Sequence, residues 1–171
     1  MLIEILQRTP TWVFFLFFAL LALGYSQSRR RRLNRSMVPV FPAAMLFFSL
    51  YGVVSAFGTI PVGLVCWAAG VAIAVVLGRK LAAPNGVIYS AETLSFSLPG
   101  SWIPLALMMA IFFTKFAVGI TLARELPIAG DPAFVEAVSL CYGVFSGIFL
   151  ARAAVVWRAQ SLPVAIVAGA Q

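Results

Sequence analysis

One lysine, Lys115, lies inside a long apolar segment, next to Phe116. A cation at the centre of a membrane-spanning helix costs about 2.5 to 3.5 kcal/mol on insertion scales, so its charge requires compensation. Two structural interpretations are open: the side chain extends outward to the membrane surface, or it pairs with Glu136 near the start of a later apolar segment. The functional interpretation is a role in a substrate or proton path. Lys115 and Glu136 are therefore the candidate functional polar residues.

A cluster of arginines is the densest charge in the chain. Its simplest interpretation is topogenic, because basic loops next to apolar segments stay in the cytoplasm. The alternative is contact with anionic lipid or a phosphorylated ligand, at about 1 kcal/mol per basic residue near a charged leaflet. Nucleic acid is not an expected partner despite a net charge of +7, because the cations sit at the ends of apolar runs. The cluster consists of Arg29, Arg30, Arg31, Arg32 and Arg35.

Two stripes of small residues recur at a four-residue spacing, which lets helices in membranes approach each other closely. The two segments that carry them are predicted to run in the same direction. They could pack in parallel against each other, or one stripe could mediate a homodimer, and the sequence leaves both open. The stripes are Cys66, Gly70, Ala74 and Gly78 in one segment and Ser139, Gly143, Gly147 and Ala151 in the other.

The residue types needed for most enzyme chemistry are missing from the sequence. There is no histidine, which excludes His-ligated haem, His-based zinc sites and Ser-His-Asp catalysis. Cys66 and Cys141 are not in a Cys-x-x-Cys arrangement and lie in apolar surroundings, so two free buried cysteines are expected, with a redox pair as the alternative. The sequence predicts no enzyme, no metal site and no cofactor.

The elements that position these residues follow from composition. Of the 171 residues, 63% are hydrophobic and 10% charged, which lies outside the range of soluble domains. Since a spanning helix needs about 20 mostly apolar residues, we expect an all-α membrane protein, a bundle of five transmembrane helices. A single membrane domain over residues 1–160 and a short apolar tail, 161–171, are expected. The spans cover about residues 11–26, 38–57, 60–77, 102–122 and 134–156.

The loop between the third and fourth spans differs in character from the others. Pro84-Asn85-Gly86 is a turn signal, and polarity alternates through Leu94-Ser95-Phe96-Ser97-Leu98. The sequence therefore predicts a small cytoplasmic β-hairpin or flap in this loop.

The distribution of cations predicts the orientation of the bundle. Eight of the twelve basic residues fall on the side of loops 27–37 and 79–101, while Arg8 and Arg124 fall on the other. The positive-inside rule then makes these two loops cytoplasmic. We expect a multi-pass protein of a bacterial inner membrane, with its amino terminus periplasmic or external and its carboxyl terminus cytoplasmic.

Three motifs carry a resemblance: Ser26-Gln27-Ser28-Arg29, Ser49-Leu50-Tyr51-Gly52-Val53 and Leu98-Pro99-Gly100-Ser101-Trp102. With them the chain resembles, over nearly its whole length, an uncharacterised family of small multi-pass bacterial inner-membrane proteins, a domain-of-unknown-function group. Its layout is also loosely similar to that of CcdC-type membrane proteins. Neither resemblance implies an activity or site residues.

The amino-acid sequence alone leaves two functions open. The first is a non-catalytic accessory, assembly or scaffold component that acts through helix packing and the flap. Its expected partners are the lipid bilayer and either a second copy of the chain or another membrane protein. The second is a small transporter or permease that uses a polar site around Lys115. A transporter needs a water-accessible path through its interior, whereas a scaffold needs outward surfaces for a partner.

Overall fold

The computed structural model describes residues 10–81, 87–90 and 94–159. These residues form α-helices and a small antiparallel sheet, together with 3-10 turns at Arg35–Met37 and Pro127–Gly130. The predicted turn at residues 84–86 and the apolar tail, 161–171, lie outside the described residues. The helices are α1 Thr11–Gln27, α2 Val40–Phe57, α3 Pro61–Leu81, α4 Ile103–Ala123 and α5 Pro132–Arg158, and the strands are β1 Arg31–Asn34, β2 Ile88–Ser90 and β3 Ser95–Leu98.

Helix length and composition decide which helices can cross a bilayer. Four of the described helices, α2 to α5, are long and apolar enough to do so. Helix α1 is equally apolar but has 17 residues, which rise about 25 Å against a hydrocarbon core of about 30 Å. The prediction of a helical membrane protein is confirmed, while the fifth span stays a prediction.

The helix ends carry local signals that explain their positions. Asp131 caps α5, because its side chain accepts a hydrogen bond of 2.9 Å from the Ala133 N–H, and Pro132 occupies the first helical position. At the same end of the bundle, Gly58 terminates α2 with a φ of 73°, a conformation that costs glycine little.

The helices form two units. Helices α3 and α5 make the closest contacts, and α2 packs on α5, which gives a three-helix unit. Helices α1 and α4 form a separate antiparallel pair. In that pair the rings of Tyr25 and Trp102 are 6.2 Å apart near one end, and those of Phe17 and Phe112 are 5.3 Å apart further along.

The sheet lies at the end of the bundle where α1, α3 and α5 end. Its strand order is β1-β3-β2, and both pairs are antiparallel. Leu33 of β1 pairs with Phe96 of β3. Phe96 is fully buried and packs against Val38, before α2, and Ala159, after α5. The apolar face of the sheet therefore covers this end of the three-helix unit.

The first strand corrects the sequence prediction. A two-stranded hairpin is predicted, whereas the structure has a third strand contributed by the arginine loop. The sequence Arg-Arg-Leu-Asn has no strand signal of its own, since only Leu33 is apolar. It becomes a strand because it pairs with the open edge of β3, and the Arg35 N–H extends the pairing with a hydrogen bond of 3.0 Å to the Leu94 carbonyl.

Candidate functional site: a cleft between two helical units

A cleft separates the α1/α4 pair from the three-helix unit. Towards the end of α4 it holds a cavity of about 620 Å³, lined by α1, by Met45 of α2 and by one face of α4 that includes Lys115. Towards the sheet it holds a second cavity of about 630 Å³, lined by the first turns of α2 and α4, by the sheet and by the last turns of α5, including Arg152. We call these the outer cavity and the inner cavity.

Lys115 lies where the outer cavity meets the three-helix unit. Its Nζ is 5.2 Å from the centroid of the Tyr142 ring of α5. The absence of a side chain on Gly52 of α2 makes room for the ammonium group, because a Cβ added there would lie 2.8 Å from the Lys115 Nζ. Lys115 thus touches two helices of the other unit while the rest of its side chain stays exposed in the isolated chain.

The structure does not bring Lys115 and Glu136 together. Glu136 is exposed near the beginning of α5, and no ion pair joins the two side chains within the part of the chain that the structure describes. Lys115 lies roughly two turns from the end of α4, and its charge is directed to an aromatic ring instead. A cation–π contact contributes about 0.5 to 2 kcal/mol, which offsets only part of the about 2.5 to 3.5 kcal/mol insertion cost.

Hydrogen bonds within the three-helix unit hold the wall behind Lys115 in place. The Ser49 hydroxyl of α2 donates to the Tyr142 carbonyl at 2.9 Å and accepts from the Trp67 indole N–H of α3 at 3.0 Å. One hydroxyl therefore joins α2, α3 and α5 next to the Lys115 contact. The sequence did not predict the group formed by Ser49, Trp67 and Tyr142, although Ser49 and Gly52, which both lie near the Lys115 contact, belong to the Ser49-Leu50-Tyr51-Gly52-Val53 motif.

The small-residue stripes form the interface between α3 and α5. A Cβ added at Gly147 would lie 2.6 Å from the Val71 carbonyl oxygen, and one added at Gly78 would lie 2.5 Å from the Ala151 Cβ. The contacts advance along both helices in the same direction, so the helices are parallel. The stripes face each other within one chain, and helix backbones touch where glycine replaces a larger residue.

The two cysteines are less buried than the sequence predicts. Both are free, but Cys141 is exposed and Cys66 is half-buried. Cys141 lies two residues from Ser139, which turns it about 200° around the helix and away from the stripe. No group of three histidine, cysteine or acidic side chains that would hold a metal ion is present among the described residues.

Two of the arginines lie against aromatic rings at helix ends. Arg29 donates a hydrogen bond of 3.2 Å to the Tyr25 hydroxyl and lies 5.4 Å from that ring. Arg35 lies 5.4 Å from the Trp157 ring at the end of α5. Arg30 and Arg32, like Arg29 and Arg35, are exposed.

The fold and the cleft define a helical membrane protein with four helices of spanning length and a small three-stranded sheet at one end. The chain belongs to a family of unknown function, DUF6622, whose model matches residues 1–163. This agrees with the resemblance to an uncharacterised family, whereas similarity to CcdC-type proteins is not shown. Comparisons with curated proteins and with solved structures gave no match.

Proposed function

We propose that this chain is a small transporter or permease that binds its ligand in the cleft around Lys115. The observation that carries the proposal is the position of Lys115, which lines a cavity of about 620 Å³ while its ammonium group faces no carboxylate among the described residues. Charged residues inside membranes mark ligand or ion pathways, because their insertion cost is otherwise uncompensated.

The two cavities support this proposal because they follow each other along one cleft. On α2, Ala44 lines the inner cavity and the adjacent Met45 lines the outer one. On α4, Pro104 lines the inner cavity and Met108, one turn later, lines the outer one. Met45 and Met108 therefore lie at the end of the outer cavity that is nearer the inner cavity, and we propose that displacement of their side chains joins the two cavities into one path.

The scaffold interpretation has less support from the geometry. It depends on helix faces that are free to bind a partner, and the small-residue stripes are the strongest packing signals in the sequence. Both stripes are occupied within the chain, since Gly70 and Gly147 contact the facing helix backbone. A homodimer through either stripe would require α3 and α5 to separate.

The orientation is part of the proposal. Helix α1 runs antiparallel along α4, from the Tyr25–Trp102 contact to the Phe17–Phe112 contact. We infer five spans in a bacterial inner membrane, with the basic sheet end cytoplasmic and the amino terminus periplasmic. The exposed Arg30 and Arg32 then face an anionic leaflet. No catalytic step is proposed, because the described cleft residues lack a nucleophile paired with a base.

Cysteine accessibility tests the proposal. In a background with Cys66→Ala and Cys141→Ala, Lys115→Cys is treated with a charged, water-soluble thiol reagent in sealed membranes. Labelling of position 115 is expected, because the outer cavity reaches the end of α4 at Arg124. The control is Phe113→Cys, at the same depth but facing away from the cleft with 56% of its surface exposed. Failure of the reagent to reach position 115 from either side would overturn the proposal.

A further inference from the structure

We propose that the ligand of the outer cavity is an anionic amphiphile, with a carboxylate or phosphate head group at Lys115 and a hydrocarbon chain along the apolar wall. The inference rests on the proposed function, since it names the chemical class that the cleft takes.

The sign of the ligand charge follows from the lining. The outer cavity is lined by two cations, Lys115 and Arg124, and by no acid among the described residues. The nearest aromatic partner, Tyr142, contacts the Lys115 ammonium without neutralising its charge. A negative group that reaches Nζ gains a charge-assisted hydrogen bond, which is stronger than a hydrogen bond between neutral groups.

The apolar part of the ligand follows from the remaining lining. Apart from the two cations, the cavity wall consists of aliphatic, methionine and phenylalanine side chains with Gly119 and Pro10. A small hydrophilic anion would find no further hydrogen-bond donors there. A hydrocarbon chain fits against Leu20, Met45 and Met108, and methionine adapts readily to the shape of such a chain. The volume lies within the roughly 300 to 1,000 Å³ of pockets that hold organic ligands.

The two cations also define a route for the head group. Arg124 lines the mouth of the cavity at the end of α4, and Lys115 lies nine residues earlier, roughly 13 Å deeper along the helix axis. A head group from the adjacent leaflet meets Arg124 first and then Lys115. The hydrocarbon chain stays in apolar surroundings throughout, because the cleft wall between the two cations is apolar.

Nitroxide-labelled stearate tests the inference. The full chain is reconstituted in nanodiscs of zwitterionic phosphatidylcholine, and the immobilised fraction of the label is measured by electron paramagnetic resonance. We expect a larger immobilised fraction for the ionised acid than for its uncharged methyl ester. A labelled lysophosphatidic acid forms the second arm, which distinguishes a phosphate head group from a carboxylate.

Three variants identify the site. Lys115→Met should weaken binding of the preferred acid about tenfold, equivalent to about 1.4 kcal/mol. Lys115→Arg keeps the charge and should keep the preference for the acid. Gly52→Ala places a methyl group against the Lys115 Nζ and should reduce binding without removing the charge.

Equal immobilisation of acid and ester by the unmodified chain would overturn the inference. So would binding to Lys115→Met at the level of the unmodified chain. If position 115 is labelled by the aqueous reagent while this selectivity is absent, the ligand class is wrong and the cleft remains the proposed site. If the reagent does not reach position 115, the proposed function itself fails.

Discussion

Gly70 and Gly143 face each other across the α3–α5 interface so closely that a Cβ added at Gly70 would lie 3.2 Å from the Cα of Gly143. At this distance neither helix has space for a side chain. The contact fixes the separation of α3 and α5, which carry Trp67 and Tyr142. It therefore also fixes the wall of the cleft behind Lys115.

Gly143→Ala should destabilise the protein. The added Cβ would meet the Trp67 carbonyl oxygen and would lie 3.0 Å from the Val71 nitrogen. These are backbone atoms, so α3 and α5 must separate, and overpacking of this kind costs about 1 to 3 kcal/mol. The free energy of unfolding in mixed micelles measures the effect. Gly119→Ala is the control, because nothing lies within 4 Å of its added Cβ. A Gly143→Ala protein as stable as the control would contradict the interface.

Ser49→Ala should also destabilise the protein, for a different reason. It removes the acceptor of the Trp67 indole N–H and the donor to the Tyr142 carbonyl. A polar group left unsatisfied in the interior costs about 1 to 3 kcal/mol. The matched control is Ser55→Ala on the same helix, whose hydroxyl bonds only to the Gly52 carbonyl of its own turn. The tryptophan emission spectrum should change in Ser49→Ala and stay constant in Ser55→Ala.

Ser139→Ala should leave stability unchanged or raise it. Ser139 is fully buried, and its hydroxyl has no hydrogen-bond partner within the described ranges. Alanine keeps the small size that the stripe requires and removes a desolvated hydroxyl, which costs about 1 to 3 kcal/mol when unpaired. Thermal unfolding in detergent measures the change. A clear loss of stability would show that this hydroxyl has a partner in the membrane.

A double-mutant cycle on Lys115 and Tyr142 should give a coupling free energy of about 0.5 to 2 kcal/mol, the range of a cation–π contact. The cycle combines Lys115→Met with Tyr142→Leu, so that the packing cost of losing the buried ring cancels. Tyr142→Phe keeps the ring and should keep the coupling. A coupling free energy of zero would show that the Lys115 ammonium group does not contact the Tyr142 ring.

The orientation predicts which sites an impermeant thiol reagent reaches in intact cells. In the cysteine-free background, Thr59→Cys and Ile128→Cys should be labelled, because both lie at the end of the bundle opposite the sheet. Arg30→Cys should be labelled only after the cells are opened. Labelling of position 30 in intact cells would reverse the proposed orientation.

The helices could be predicted closely because their signals are local. The predicted second span, 38–57, corresponds to α2 at Val40–Phe57, and the predicted fourth, 102–122, corresponds to α4 at Ile103–Ala123. Apolar runs, first-turn prolines and Gly58 act within a few residues of the boundary that they set. The third and fifth helices extend further than predicted, since α3 continues through Arg79 and Lys80 to Leu81.

The cleft could not be predicted in the same way, because it depends on contacts between distant parts of the chain. Lys115 can be recognised in the sequence because inserting a cation into a spanning helix costs free energy. Tyr142 and Gly52, however, become its neighbours only after α2, α4 and α5 assemble. Strand β1 was missed for a related reason. Its pairing partner is β3, more than 60 residues later, and its own residues favour no strand.

The pairing of Arg31 with Leu98 also imposes an order on biosynthesis. The α2–α3 hairpin lies between these two residues, so the ribosome must have released both helices before β3 emerges to meet β1. Local contacts form before those that close long loops. The arginine loop therefore stays unpaired through the synthesis of α2 and α3 and becomes a strand only after β3 has emerged from the ribosome.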